Sequence, residues 1–367
     1  MRFKILFCLL LIYSVYSCNK KSDENVYSDY ILIDNYEEVE IDEIPSKFID
    51  NKKYIHLYSD DVNLQFKEIT KIMIKGDLVY ILDEVSRNLL IYDKKTGEAL
   101  RSVGRRGSGP DEYILISDFD VDNDGNIYMI DGNLNKLFIY KNDLSQTVSK
   151  KLPFEADIIK VLDNGNFLFG LSSWNKGENK GDLVVLTNKK LETLNTLVVY
   201  DKFVDDAFWI SNFYFTSTNS HILLNRPPYN TVYKINNIGV VENSIFFDFG
   251  KLEVPEKEKA NIEENLQKFE NYNLLKWRTI VEESYIIGTF RKKGKTRPFF
   301  IDRISDILYL YPERRVSDNS DVAGYYDKTL ISYIIPGSEK AESANLPPNI
   351  KKELNNGDFV LCLYQLK

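Results

Sequence analysis

A chain of 367 residues has room for two average domains or one large all-β domain, and its 43% hydrophobic content is ample for a core, which excludes whole-chain disorder. The 24 tyrosines and 21 phenylalanines favour strands, because aromatic rings pack well on a pleated surface. A formal net charge of −8 argues against nucleic acid as a partner, since a phosphate backbone recruits basic surfaces.

Residues 1–17, MRFKILFCLLLIYSVYS, combine a basic start (Arg2, Lys4), an apolar run from Ile5 to Val15 and a small residue before Cys18, which is the build of a signal peptide. The apolar run is too short to span a bilayer core of about 30 Å, which takes ~20 residues. The run VYSC (15–18) resembles a bacterial lipobox, and the polar stretch after it resembles the tethers of Bacteroidetes lipoproteins. That resemblance implies that Cys18 carries a lipid, that residues 18–38 form a membrane tether, and that the protein sits in the cell envelope on the outer membrane, facing the periplasm or the surface. Cleavage after residue 17 removes Arg2 and Lys4 and no acid, taking the charge from −8 to −10. With Cys8 gone and Cys18 lipidated, Cys362 has no partner for an intramolecular disulfide. It lies in the apolar run FVLCLYQLK and reads as a buried structural thiol.

An internal repeat follows. LVYILDEVSRNLLIYD (78–93) and NIYMIDGNLNKLFIYK (126–141) match at a constant offset of 48: Tyr80 with Tyr128, Asp83 with Asp131, Leu89 with Leu137, Ile91 with Ile139, Tyr92 with Tyr140. Each unit reads as an antiparallel hairpin, an alternating strand ending at Asp, a polar turn and a second alternating strand. Weaker hairpins follow at 165–188, 221–235, 284–302 and 328–367, giving six units. Sheets of this size bury both faces only by packing against one another, and radial packing around a channel does so while leaving short edges. The expected fold is an all-β, six-bladed β-propeller of four-stranded antiparallel blades over residues 39–367. Segments from 39–60 are expected to supply an outer strand beside the C-terminal strand and close the ring. One surface helix is expected within 254–272, where Ile262, Leu266 and Phe269 share a face, and a short helix near 349–354; 173–182 reads as the tip of a long hairpin.

Between the two best repeats lies VGRRGSGPDEY (103–113). Its Gly104, Gly107, Gly109, Pro110 and Tyr113, followed by Asp124 and Gly125, resemble the joint of the NHL repeat, and the mature chain resembles the six-bladed β-propeller lipoproteins of Bacteroidetes. The stretch therefore reads as the crossing from one blade's outer strand to the next blade's inner strand, with glycine supplying positive φ and Pro110 stiffening the bend. It is not a phosphate loop, because the Gly-Lys-Ser/Thr ending is absent.

Such crossings lie at a propeller face, so Arg105, Arg106, Asp111 and Glu112 are candidates for a binding site there, with Arg226, Tyr229, Trp277 and Arg278 as further candidates near the channel mouth. Trp174, Trp209 and Trp277 offer flat apolar faces to a sugar, although packing between blades is the plainer use. DVDNDGNIYMID (120–131) imitates a calcium loop through Asp120, Asp122, Asp124, Gly125 and Asp131, but the flanking residues alternate as strands and Asp-Gly is equally a hairpin turn. With only His56 and His221, no histidine-rich metal set is expected, nor any cofactor. The sequence thus points to a non-catalytic binding module for a protein, glycan or peptide partner. The alternative is a propeller hydrolase or lyase of extracellular polymers using carboxylates around the channel.

Overall fold

The structure, a computed structural model, describes residues 28–367 apart from 146, 203, 205–214, 228, 260–270, 277, 314–320 and 343–344. The expected signal peptide, Cys18, Trp209, Trp277 and most of the expected 254–272 helix lie outside the described residues. Of that helix, α1 (Glu256–Lys259) is described, between the fourth and fifth blades.

The N-terminal segment supplies three strands, β1 (Asp29–Leu32), β2 (Glu37–Glu40) and β3 (Ile49–Leu57). Blade 1 is then β4 (Lys71–Lys75), β5 (Leu78–Asp83), β6 (Asn88–Asp93) and β7 (Ala99–Ser102), from the axis outwards. Blade 2 is β8 (Asp118–Val121), β9 (Ile127–Asp131), β10 (Lys136–Tyr140) and β11 (Thr147–Lys151). Blade 3 is β12 (Ala156–Val161), β13 (Phe167–Leu171), β14 (Asp182–Thr187) and β15 (Thr193–Val199), with a one-turn 3-10 helix at Gly177–Asn179 in its long hairpin loop. Blade 4 is β16 (Thr216–Ser217), β17 (Ile222–Asn225), β18 (Thr231–Ile235) and β19 (Val241–Asp248). In blade 5 the innermost position is split between β20 (Leu274–Leu275) and β21 (Ile280–Val281), both pairing with β22 (Tyr285–Lys292), before β23 (Lys295–Asp302) and β24 (Ile307–Leu310). Blade 6 is β25 (Gly324–Tyr326), β26 (Thr329–Ile334) and, after α2 (Pro348–Asn355), β27 (Phe359–Leu366).

The ring closes as the sequence suggests. β3 pairs antiparallel with β27, from Leu57 opposite Phe359 to Asn51 opposite Gln365, so the first and last parts of the chain share blade 6. The expected boundary at residue 38 needs correction, because β1 and β2 already belong to the propeller. β1 adds in parallel to β19 of blade 4, and β2 in parallel to β24 of blade 5, so 29–57 forms a belt around three successive blades. Alternation explains the attachment, since Ile31 and Ile33 are buried while Tyr30 and Leu32 face solvent.

The repeated aspartate has a structural cause. Asp83 is fully buried and accepts hydrogen bonds from the N–H groups of Val85 (2.9 Å), Ser86 (3.1 Å) and Lys67 (2.8 Å). Asp131 likewise caps Leu134 and holds Ile114, 2.6 Å away. Asp302 does the same for Ile304 and Ser305. Each carboxylate closes a hairpin turn and, in blades 1 and 2, also pins the incoming crossing. Four residues after each, Arg87, Asn135 and Asp306 take positive φ of 57°, 50° and 54°.

Hydrophobic packing lies between neighbouring blades. Tyr80, Leu82, Leu89 and Ile91 of blade 1 meet Phe119, Met129 and Phe138 of blade 2. Ile74, Val79 and Ile81 meet Ile331, Leu361 and Leu363 across the closure. Burying each such side chain contributes about 1.5–3 kcal/mol, so every blade depends on both neighbours. Cys362 is buried in the layer between blades 5 and 6, as a structural thiol should be.

The joint at 103–117 is the crossing from β7 to β8. Gly104 has φ +71°, and a Cβ there would lie 2.4 Å from the Tyr140 hydroxyl. A Cβ on Gly107 would lie 2.0 Å from Glu112 Oε2, the carboxylate that accepts the Gly109 N–H at 2.9 Å.

Candidate functional site

In every blade the innermost strand runs from the face bearing the inter-blade crossings towards the face bearing the first hairpin turns. Together these strands enclose a cavity of about 730 Å³ that opens at the turn face, where Asp163, Asn219 and Asp327 are exposed. Among the described residues of blade 5, only Arg278 lines it.

The deep end is built from two buried cations. Arg278 sits in the gap between β20 and β21 at φ +56°, a conformation costly for a side-chain-bearing residue. Its Nη2 donates to the Thr70 carbonyl at 2.7 Å, crossing from blade 5 to blade 1, which are not ring neighbours. Asn225 of blade 4 fixes this gap by accepting from the Thr279 N–H at 3.0 Å and donating to the Lys276 carbonyl. Lys71 donates to Asp118 Oδ1 at 2.5 Å and to the Phe119 carbonyl at 2.7 Å. The other oxygen of Asp118 accepts the Ile159 N–H of blade 3 at 2.9 Å. Burial pushes the Asp118 carboxyl above its ordinary value, against the pull of Lys71.

Two further tiers follow towards the mouth. Asp120 accepts from Lys160 and from the Val161 N–H, the latter at 2.7 Å. Lys75 then donates to Asn123 Oδ1 (2.7 Å), whose Nδ2 donates to Asp163 (2.9 Å), so one polar relay runs across blades 1, 2 and 3. At the rim Asn219 of blade 4 donates to Asp327 of blade 6 at 3.1 Å, bridging past blade 5.

The wall also carries phenols. Tyr128 donates to Asp122 at 3.1 Å, and burial first, then that carboxylate, raises its hydroxyl. Tyr325 donates to Glu282 at 3.0 Å and lies 2.8 Å from the Tyr285 hydroxyl; burial is again the main cause holding it un-ionised.

The calcium-like run does not converge. Its two ends lie within β8 and β9, Asp120 bonds to blade 3, Asp131 bonds to the crossing, and Asp122 caps its own turn through the N–H groups of Asp124 and Asn126.

The sequence-derived candidates fall in three places. Arg278 lines the cavity floor. Arg105, Arg106, Asp111 and Glu112 lie on the crossing face, at the other end from the cavity mouth, with Arg105 paired to Glu112 at 3.0 Å. Arg226 is buried, donates to the Tyr200 hydroxyl and lies over that ring, with its centroid at 5.1 Å, while Tyr229 is buried beside it and its N–H bonds the Arg226 carbonyl. Trp174 is half-buried and donates to Glu155. Sequence reasoning missed Lys71, Lys160 and Asp118. The signal available was a charge held at alternate positions inside short apolar strands, in KIMIK (71–75) and DFDVD (118–122).

Six blades of four antiparallel strands around an axial cavity make this a six-bladed β-propeller, with blades 4 and 5 widened by the parallel N-terminal strands. Residues 17–332 match the DUF5128 family, described as "6-bladed beta-propeller", and the chain belongs to that family. Among solved structures it is similar to a Bacteroides fragilis protein described as exported, with TM-score 0.73 and 19% identity over 90% of this chain and 99% of that one. It is also similar to a member of the DUF4221 family from Bacteroides vulgatus, with TM-score 0.51 and 10% identity over 87% and 97% of the two chains. Virginiamycin B lyase from Staphylococcus aureus gives TM-score 0.45 and 10% identity over 86% and 99%. No curated protein matches the sequence.

Proposed function

We propose that this protein is a lipid-anchored cell-envelope binding module that takes a polar ligand, a glycan or a peptide segment, into the mouth of its axial cavity, with or without a protein partner in the envelope. The observation that carries the reading is an axial cavity of about 730 Å³, within the usual ~300–1,000 Å³ of ligand pockets, lined by both polar and apolar side chains, many of them on the inner strands. The anchor is Cys18, and the exported Bacteroides neighbour is consistent with an envelope address.

The alternative, a hydrolase or lyase, draws support from five aspartates around the cavity among the described residues: Asp120, Asp122, Asp124, Asp163 and Asp327. Four of them already accept hydrogen bonds from a turn or a neighbouring blade, through Val161, Asn126, Asn123 and Asn219. That commitment favours binding over proton transfer.

The test uses the full chain in detergent against arrays of neutral and acidic oligosaccharides and a short-peptide library. Binding that is lost in Asn123→Ala or Asp163→Ala at the mouth and kept in Arg105→Glu on the crossing face supports the reading. Turnover of a bound polymer would favour the enzyme, and binding lost only with Arg105→Glu would move the site to the crossing face. Cys18→Ala, which should abolish lipid labelling and membrane retention, serves as the mislocalised control in envelope cross-linking.

A further inference from the structure

Far from the cavity, three side chains from three elements meet where the ring closes. His56 is on β3, Glu353 in the last turn of α2 and Asp358 just before β27. One ligand atom from each lies within 4.8 Å of the others, with His56 Nε2 at 2.8 Å from Asp358 Oδ2 and 3.9 Å from Glu353 Oε2. We infer that His56, Glu353 and Asp358 form a binding site for a zinc-class divalent ion that clamps the N-terminal belt to the C-terminal strand.

Zinc bonded at about 2.0–2.1 Å in a tetrahedron separates its ligand atoms by roughly 3.3 Å, and the two measured distances bracket that value. One imidazole with two carboxylates selects a transition ion over calcium, which takes 6–8 oxygens. The side chains are a quarter to a third exposed, so an ion has a path in and a water can take the fourth position.

The donors are held in place beforehand. His56 backs onto Gly97, where an added Cβ would meet the His56 carbonyl oxygen at 1.7 Å, and its ring stacks on Tyr58 with centroids 5.1 Å apart. Asn356 Nδ2 donates to the same Glu353 Oε2 at 3.1 Å, orienting that carboxylate as outer partners of metal ligands do. Asp358 N–H bonds the Glu353 carbonyl at 3.2 Å, tying the helix end to the strand. A bound ion would join His56 on β3 to Asp358 at the entry of β27, the two strands whose pairing closes the propeller.

The test is a titration of the full chain in detergent, stripped with EDTA, with Co²⁺ followed by the visible ligand-field absorption of a tetrahedral site. The inference expects saturable cobalt absorption, displacement by Zn²⁺, and a rise in melting temperature of about 3 °C at a hundredfold excess of Zn²⁺ over Kd. His56→Gln keeps an N–H donor for Asp358 but no ring nitrogen, and should weaken binding at least tenfold, as should Glu353→Gln at the helix end. Zinc-edge X-ray absorption on the unmutated chain should show imidazole scattering, which keeps the inference testable even where a variant fails to fold. No cobalt absorption at millimolar metal, or binding unchanged in both variants, would reduce the cluster to a histidine–carboxylate hydrogen bond and overturn it.

Discussion

Asp118→Ala tests whether the deep polar tier holds blades 1, 2 and 3 together. The substitution removes the carboxylate paired with Lys71 at 2.5 Å, where the two side chains are 0% and 7% exposed. Breaking a buried pair by deleting one partner costs about 3–5 kcal/mol, because the remaining charge stays out of water. The N–H groups of Ile159 and Phe119 lose their acceptor as well, at about 1–3 kcal/mol for each left unsatisfied, so the loss should fall near the upper end of that range. Lys71 keeps the Phe119 carbonyl, which limits the total. Urea unfolding followed by tryptophan fluorescence gives the change, provided the slope of the transition is unaltered. Glu313→Ala is the control: its pair with Lys295 has side chains 52% and 62% exposed and should be worth about 0–1 kcal/mol. Adding Lys71→Met to Asp118→Ala should recover about 2 kcal/mol or more, since no charge is then left buried. If Asp118→Ala loses less than about 1 kcal/mol, or the double variant is no better than the single, the tier does not join the blades as argued.

Two other expectations follow from burial and pairing. Burial pushes the Cys362 thiol up to about 11, so at pH 8 only about one thiol in a thousand is thiolate; iodoacetamide should modify Cys362 far more slowly in the native chain than in urea, read by peptide mass spectrometry, and equal rates would refute its burial. Burial raises the Asp302 carboxyl, but Lys47 at 2.9 Å and the N–H groups of Ser305 and Ile304 outweigh it and leave it below the ordinary 3.8. A depressed carboxylate stabilises the fold fully above its unfolded value, so this contribution should vanish as pH falls from about 4 through the lower folded value. Asp302→Asn should flatten that part of the stability profile, and an unchanged acid limb would count against the pairing.

The architecture was legible because its clearest sequence signal is a local necessity. Asp83 and Asp131 recur 48 residues apart since each closes a hairpin and pins a crossing, with the donors Lys67 and Ser86 of one matched by Leu115 and Leu134 of the other, so the repeat reports hydrogen bonding as well as hydrophobicity. The signal weakens where another device replaces it. Blade 4 has Asn225 and Arg226 at the corresponding corner, and blade 5 splits its inner strand so that Arg278 can reach Thr70. The belt was half legible. β3 beside β27 follows from the need to close a ring, but β1 and β2 add in parallel to strands more than 200 residues away, with no turn to announce them.

The polar sites were largely hidden for a related reason. An inner strand shows its neighbours on both sides and the axis in a few residues, so Lys71 and Asp118, 47 apart in sequence, carry no mark of being partners. His56 and Asp358 are separated by 302 residues, and a histidine next to strand-forming residues reads as an isolated ring until closure brings the two chain ends together. Ring closure therefore does more than remove an edge. It sets residues from the two ends of the chain side by side on paired strands, where chemistry can arise from the topology without leaving a local motif, and in this propeller those are the positions in which sequence pattern alone is least able to find a site.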